Sequence, residues 1–283
     1  VESLSILGQP FIQSLATRSL ATRLTLFLVS LLLLWLPFAI PIYALIDDPN
    51  WQGILTLTIL YGEFIWLVRW WGREVYRNPH ILHRYGLRRS KRNGRELLFG
   101  LGLGLTSLCL LLVLEGQLGW LQWQSPPAAF LRIAIEGLPI ALGVGFAEEL
   151  LFRGWLLDEL QRDYRKAIAI WINAGVFALL HFIKPIEVIL SSLPAFPGLV
   201  LLGLTLIWAK QASGGRLGLS IGLHAGLVWG YYLTHVGGLV EYADVVPMWV
   251  TGLDRNPLAG VMGMLCLGGI AIGIRRKMRS KVR

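Results

Sequence analysis

An apolar run that begins near Phe130 is interrupted by two adjacent acids and an arginine, in the order Gly145-Phe146-Ala147-Glu148-Glu149-Leu150-Leu151-Phe152-Arg153. Earlier in the run only Arg132 and Glu136 are charged. A charge held in hydrocarbon costs ~2.5–3.5 kcal/mol on insertion scales. Three of them within one helical stretch therefore have to find partners or do work. Glu149 and Arg153 stand i,i+4 on a helix and can pair. Glu148 is turned about 100° away from Glu149 and has no local partner. A carboxyl without a partner in a poorly solvated site is suited to proton transfer.

The rest of the chain shows what kind of interior holds these charges. Of 283 residues, 55% are hydrophobic and 15% charged, against roughly 25% charged in soluble domains. The composition predicts an all-α, polytopic membrane bundle. Eight spans are expected, over residues 24–46, 52–71, 97–114, 129–157, 167–183, 194–210, 217–235 and 256–274. Residues 1–20 are mildly amphipathic and read as an interfacial segment. Residues 21–283 read as a single transmembrane domain. Pro185, Pro194 and Pro197 crowd the sixth span, so 186–195 is expected to be re-entrant or interfacial.

The net charge of +9 does not point to nucleic acid, because of where the basic residues lie. With the N-terminus inside and alternating spans, all but Arg132, Lys184 and Arg255 fall on or near the inner side. The heaviest inner segments are 69–95 and the tail from Arg275 to Arg283. Glu115, Glu187, Glu241, Asp244 and Asp254 fall on the outer side. This pattern predicts a multi-pass protein of a plasma or organelle membrane with both termini cytoplasmic and its basic segments against anionic lipid. Cys109 and Cys266 lie in apolar runs and read as packing residues. Glycines cluster in the third and last spans, where small residues let helices approach closely.

Two histidines join the glutamates: His181, one turn after Phe177 in the fifth span, and His224 in the seventh. Counted at 1.5 Å per residue from assumed inner helix ends, Glu148 lies ~15 Å deep, His181 ~21 Å and His224 ~12 Å. Three ionisable side chains on three helices thus reach similar depths, and the site is expected to open to the cytoplasm or the inner leaflet. His80, His83 and His235 read as solvated. Glu63 in the second span reads as an acid paired between helices, and Glu136 as structural.

Glu148-Glu149-x-x-x-Arg153, then Phe177-x-x-x-His181, then His224 resembles, in order, the three motifs of the CPBP family, which comprises the CAAX prenyl endopeptidases and related bacteriocin-processing and self-immunity proteins. The resemblance covers roughly 130–274, the protease-like core. It implies an eight-helix membrane fold and an intramembrane endopeptidase of glutamate type acting on membrane-associated protein or peptide substrates, either prenylated CAAX-like ends or leader peptides. By position, Glu148 would activate water with help from His181, Glu149 would pair with Arg153, and His224 would help hold the oxyanion. Many members carry an asparagine one turn after the third-motif histidine. This chain has Val228 there, so another donor such as Trp229, Asn173 or a backbone N–H is expected to serve.

The residues alone leave other readings open. Glu148, His181 and His224 could bind zinc with one position left for water. The His-Glu-x-x-His spacing that presents a metal from one helix is absent, and catalysis without a metal or other cofactor is the preferred expectation. The same three residues could relay protons in a transporter. They could also serve only packing, in a non-catalytic scaffold or immunity protein.

Overall fold

A computed structural model describes residues 12–183, 185–243 and 245–280. Most of the N-terminal interfacial segment, Lys184, Asp244 and the last three residues of the basic tail lie outside the described residues. The chain divides into two compact units, Val1–Arg84 and Tyr85–Arg283. The protease-like core expected at 130–274 lies within the second.

The first unit is a helical hairpin. Helix α1, Leu20–Leu45, starts where the Ser19 hydroxyl accepts from the Thr22 N–H. Helix α2, Pro49–Glu74, starts on Asp48, whose carboxylate accepts from the N–H groups of Asn50 and Trp51, with Pro49 in the first turn. Phe27 packs edge-on against Phe64 and Trp71 at 5.9 and 5.6 Å. The Trp35 indole donates to the Thr56 carbonyl at 3.0 Å. Glu63 is half-buried, and its Oε2 has no hydrogen-bond partner among the described residues, so the pairing expected for it is not formed there. A salt bridge from a neighbouring helix would need a cation at a depth where this hairpin presents mainly apolar side chains.

The second unit holds the other long helices. These are α3 (Lys91–Gln117), α4 (Phe130–Asp163), α5 (Lys166–Leu180), α6 (Ile186–Ala212), α7 (Gly218–His235) and α8 (Val261–Ser280). Two short antiparallel strands, β1 (Leu121–Trp123) and β2 (Val240–Tyr242), tie the connectors after α3 and α7 together. Each of the eight spans read from sequence overlaps one of these helices. By length and apolarity, α1, α2, α3, α4 and α6 can cross a membrane, and α5 is apolar but only 15 residues long. The protein is a multi-pass, all-helical membrane bundle.

Several boundaries differ from the sequence reading. Residues 186–195 are helical, with an interruption before the helix after them where Pro194 and Pro197 begin new turns. Ile186–Ser192 is helical, Leu193–Ala195 makes a single 3₁₀ turn, and Phe196–Ala212 continues. The prolines do no damage because Pro194 and Pro197 both occupy first-turn positions, where an N–H has no intrahelical partner anyway. Helix α5 stops at Leu180, which puts His181 at its C-cap rather than within a span. Glu115 is fully buried at the end of α3 rather than lying in an outer loop, and it accepts from the Tyr242 hydroxyl at 3.5 Å.

The α3–α7 pair is the centre of this unit. Gly218, Gly222, Gly226 and Gly230 repeat every four residues on α7, and the face they make lies directly on α3. A Cβ at Gly222 would stand 2.0 Å from the Leu97 carbonyl oxygen, and one at Gly226 would stand 2.3 Å from that of Leu101. Contact is thus backbone to backbone, the close approach that small residues allow in membranes. The two helices run the same way, since successive glycines of α7 meet successively later residues of α3. At their start Asn93 accepts from the Gly218 N–H at 2.8 Å, and Glu96 receives both the Nε and Nη2 of Arg216, at 2.7 and 2.5 Å. That hydrogen-bonded pair holds the Arg216 guanidinium above its ordinary pKa.

Gly222→Ala is expected to destabilise the protein by about 1–3 kcal/mol, because the added methyl has no place to go. Gly102→Ala, where a Cβ meets nothing within 4 Å, is expected to leave it unchanged or slightly firmer. Thermal unfolding of the two variants in detergent checks this.

Candidate active site

The charged cluster lies where α4 changes its winding. The helix is α-helical over Phe130–Glu149, π-helical over Leu150–Leu156 and α-helical again over Leu157–Asp163. A π segment widens the ring and re-aims side chains. Two of its carbonyls also receive side-chain donors from neighbouring helices. Phe152 O accepts from the Asn173 amide at 2.8 Å, and Arg153 O accepts from Lys210 Nζ at 2.6 Å.

Arg153 and Glu149 are both wholly inaccessible to solvent, with Nη1 and Oε1 3.0 Å apart. The contact is charge to charge, since Nη1 is not aligned for a hydrogen bond. The guanidinium also donates from Nη2 to the Gly203 carbonyl at 3.3 Å and stands 4.2 Å over the centre of the Phe177 ring. Glu149 faces a second partner that the sequence did not suggest. Its Oε1 lies 3.0 Å from His224 Nδ1. A carboxylate on Nδ1 places that proton there and fixes the ring with Nε2 pointing the other way.

His181 is oriented by an analogous device. Its Nδ1 lies 2.8 Å from the Phe177 carbonyl, which can only accept, so Nδ1 carries the hydrogen and Nε2 is turned inward. Phe177 is fully buried and lies against both imidazoles, with ring centres 4.6 Å from His181 and 6.2 Å from His224. The two Nε2 atoms converge on one oxygen. Glu148 Oε2 is 4.0 Å from that of His181 and 3.9 Å from that of His224, and has no hydrogen-bond partner of its own. The five residues singled out in the sequence, Glu148, Glu149, Arg153, His181 and His224, are therefore brought together. Glu149 supports both the arginine and a histidine.

These separations discriminate between occupants. One water, at about 2.8 Å from each group, spans such a gap at an angle near ~90°. A zinc ion at roughly 2.1 Å from both atoms would require an angle of about 140°, wider than tetrahedral. Among the described residues, no three His, Cys, Asp or Glu side chains are arranged to hold a metal ion. Glu148, His181 and His224 as they stand do not fit the zinc alternative.

His181 and His224 open on a cavity of about 360 Å³ with largely apolar walls, among them Leu199, Leu202, Leu227 and Val228. The two side-chain donors expected to replace the missing asparagine make other hydrogen bonds. Trp229 Nε1 donates to the Ala134 carbonyl at 3.1 Å, and the Asn173 amide is held by Phe152 as above. One amide in the cavity wall is not engaged in this way. Asn256 accepts from the Leu258 N–H through Oδ1 at 3.1 Å, which leaves its Nδ2 as a donor with no partner among the described residues. Asn256 sits in a connector far along the chain, and no spacing rule ties it to His224. The other histidines stand apart: His80 and His83 are exposed, and His235 is exposed and stacked on Tyr231 at 5.2 Å. Glu136 forms an exposed pair with Arg132 at 2.7 Å. Both cysteines are free.

Residues 130–230 match the family described as Type II CAAX prenyl endopeptidase Rce1-like. The matched residues support a CPBP-type intramembrane protease. The match covers α4 to α7 and so includes every member of the polar cluster. Comparison with curated proteins and with solved structures returns no match.

In this protease, Arg153→Ala would leave Glu149 as a buried charge without its cation. Breaking a buried pair from one side costs about 3–5 kcal/mol. A correspondingly large fall in thermal stability in detergent is expected.

Proposed function

We propose that this CAAX-type intramembrane endopeptidase is of glutamate type and works without a metal ion or other cofactor. The observation that carries the reading is Glu148 Oε2, without a partner and facing the Nε2 atoms of His181 and His224 at 4.0 and 3.9 Å beside an apolar cavity. Glu148 takes a proton from a water held between it and His181, and the hydroxide attacks the scissile carbonyl. The carbonyl oxygen becomes an oxyanion that accepts from His224, which donates from Nε2 as an imidazolium held at Nδ1 by Glu149, and from the Asn256 amide. The C–N bond then breaks, and Glu148 returns its proton to the leaving amine. Glu149 and Arg153 hold His224 and the helix in register and do not touch the substrate.

The substrate is a membrane-associated protein or peptide, and apolar cavity walls favour apolar side chains around the cleaved bond. The chain lies in a plasma or organelle membrane with both termini cytoplasmic. Basic residues crowd the ends of the helices that adjoin them, the side on which Lys and Arg are retained. Besides the substrate, it contacts membrane lipid.

Glu148→Gln is expected to abolish cleavage, scored by proteomics of peptide termini in cells, while the variant still inserts and melts like the parent. Cleavage by the parent is expected to survive exhaustive chelation, and loss that zinc restores would overturn the metal-free mechanism. Asn256→Ala is expected to lower kcat by about 10²–10³ with little change in KM. Val228→Asn in the same chain is expected to recover part of that loss.

A further inference from the structure

The turn between α6 and α7, Ser213-Gly214-Gly215-Arg216-Leu217, is packed against the loop that enters α3. The Leu217 N–H donates to the Gly86 carbonyl at 3.1 Å, and a Cβ at Gly86 would stand 2.3 Å from the Gly215 carbonyl oxygen. Gly86, Gly214 and Gly215 have φ of 108°, 67° and 84°, shapes that other residues adopt only under strain. A few residues on, the Asn93 amide donates to the Arg88 carbonyl at 3.0 Å while its Oδ1 accepts from Gly218. The loop and the turn are therefore fixed to each other through their backbones.

The side chains on this frame are donors without acceptors. The Arg88 guanidinium makes no hydrogen bond or ion pair among the described residues, and its Nε is shut off from solvent. Its Nη2 lies 4.0 Å from where a Gly215 Cβ would stand. Ser213 is only 2% exposed, and its Oγ has no partner among the described residues. Neither has the buried Nε2 of Gln211, two residues earlier. Arg216 commits Nε and Nη2 to Glu96 and keeps Nη1 beside the turn, 3.5 Å from where a Gly214 Cβ would stand.

The acceptors on the same frame are taken. Glu96 receives Arg216 and also faces Arg92 Nε at 3.5 Å. At the end of α6, the Lys210 carbonyl accepts from Ser213 and Gly215, and that of Gln211 accepts from Gly214. Arg89, Lys91 and Arg92 are exposed and add positive charge around the loop. A buried donor without an acceptor is costly. Several of them beside guanidinium groups are best satisfied together by one compact anion with several oxygens, and phosphate has that form.

We propose that Arg88, Gln211, Ser213 and Arg216 form a phosphate-binding site at the α6–α7 turn, filled by the headgroup of an anionic phospholipid. Position names the source: the turn joins two helices at the basic end of the bundle, the level at which headgroups lie. The bound phosphate ties the entry of α3 to that of α7 through the two arginines. The site uses none of the residues assigned to cleavage.

Native mass spectrometry of the full-length chain in detergent, titrated with phosphatidylglycerol, reads the dissociation constant of the first bound lipid, with melting temperature read in parallel. The parent is expected to bind this lipid saturably and to melt higher with it, and phosphatidylcholine is expected to do neither. Arg88→Gln is expected to weaken binding about tenfold or more, and Ser213→Ala about three- to fivefold, as loss of charge-assisted donors implies. Arg89→Gln removes the same charge from an exposed neighbour and is expected to change binding by less than about twofold, since solvent and salt screen it. Equal weakening by Arg88→Gln and Arg89→Gln would overturn the proposal in favour of a diffuse basic surface. So would unchanged binding in Ser213→Ala, which alters neither net charge nor any hydrogen bond of that side chain and keeps the test open should Arg88→Gln fail to fold. Equal binding of phosphatidylcholine would overturn it as well. Inorganic phosphate that raises the melting temperature where the lipid does not would overturn the headgroup as the source.

Discussion

A guanidinium buried without any solvent contact is the constraint on which this site depends. Arg153 cannot be neutralised at any ordinary pH, so its surroundings have to supply a counter-charge and acceptors. Glu149 supplies the charge, the Gly203 carbonyl an acceptor, and the Phe177 ring a negative face. Glu149 and Phe177 each have a second duty. Glu149 holds Nδ1 of His224, the carbonyl of Phe177 holds Nδ1 of His181, and the Phe177 ring separates the arginine from both imidazoles. Satisfying one buried cation thus orients two histidines from two other helices.

The same economy explains the local backbone. A π segment in α4 opens where Arg153 must be accommodated, and Asn173 and Lys210 reach into it from α5 and α6. Three helices are thereby tied at one level. Helix α7 reaches that level because its glycine face lies directly on α3, backbone against backbone. A bulkier face would push α7 outward and carry His224 with it. In hydrocarbon, where no water competes, such close packing and a few internal polar contacts supply most of the cohesion between helices.

The chemistry arises from where one unsatisfied oxygen points. Glu149 Oε2, Arg153 Nε and Nη1 and Asn173 Oδ1 also lack hydrogen bonds, but Glu148 Oε2 is the carboxylate oxygen directed at both Nε2 atoms. Separations of 3.9 and 4.0 Å suit an intervening water better than a shared metal ion. The replacement of a polar residue by Val228 leaves the third-motif helix without its usual side-chain donor. Asn256 lines the same cavity and keeps its Oδ1 on the Leu258 N–H.

Much of this was legible in the amino-acid sequence, for physical reasons. Apolar runs of membrane length announce helices because the bilayer admits few other structures. The i,i+4 spacing of Glu149 and Arg153 announces their pairing because it is a local geometric relation. Three motifs in order on three apolar runs carry the resemblance to the protease family whose model matches residues 130–230. What the sequence could not contain is any relation between residues distant along the chain. The Glu149–His224 contact joins residues 75 positions apart, and Asn256 lines one cavity with His181 and His224 only because the connector before α8 folds back to α5 and α7. The prolines at 194 and 197 read as breakers, since a proline's effect depends on whether it falls in a first turn or an interior one, and tertiary packing sets where that turn begins. The charges by themselves determined which end of the bundle is basic. Only the tertiary packing decided that Glu149 holds a histidine as well as its arginine, because His224 lies on another helix far along the chain.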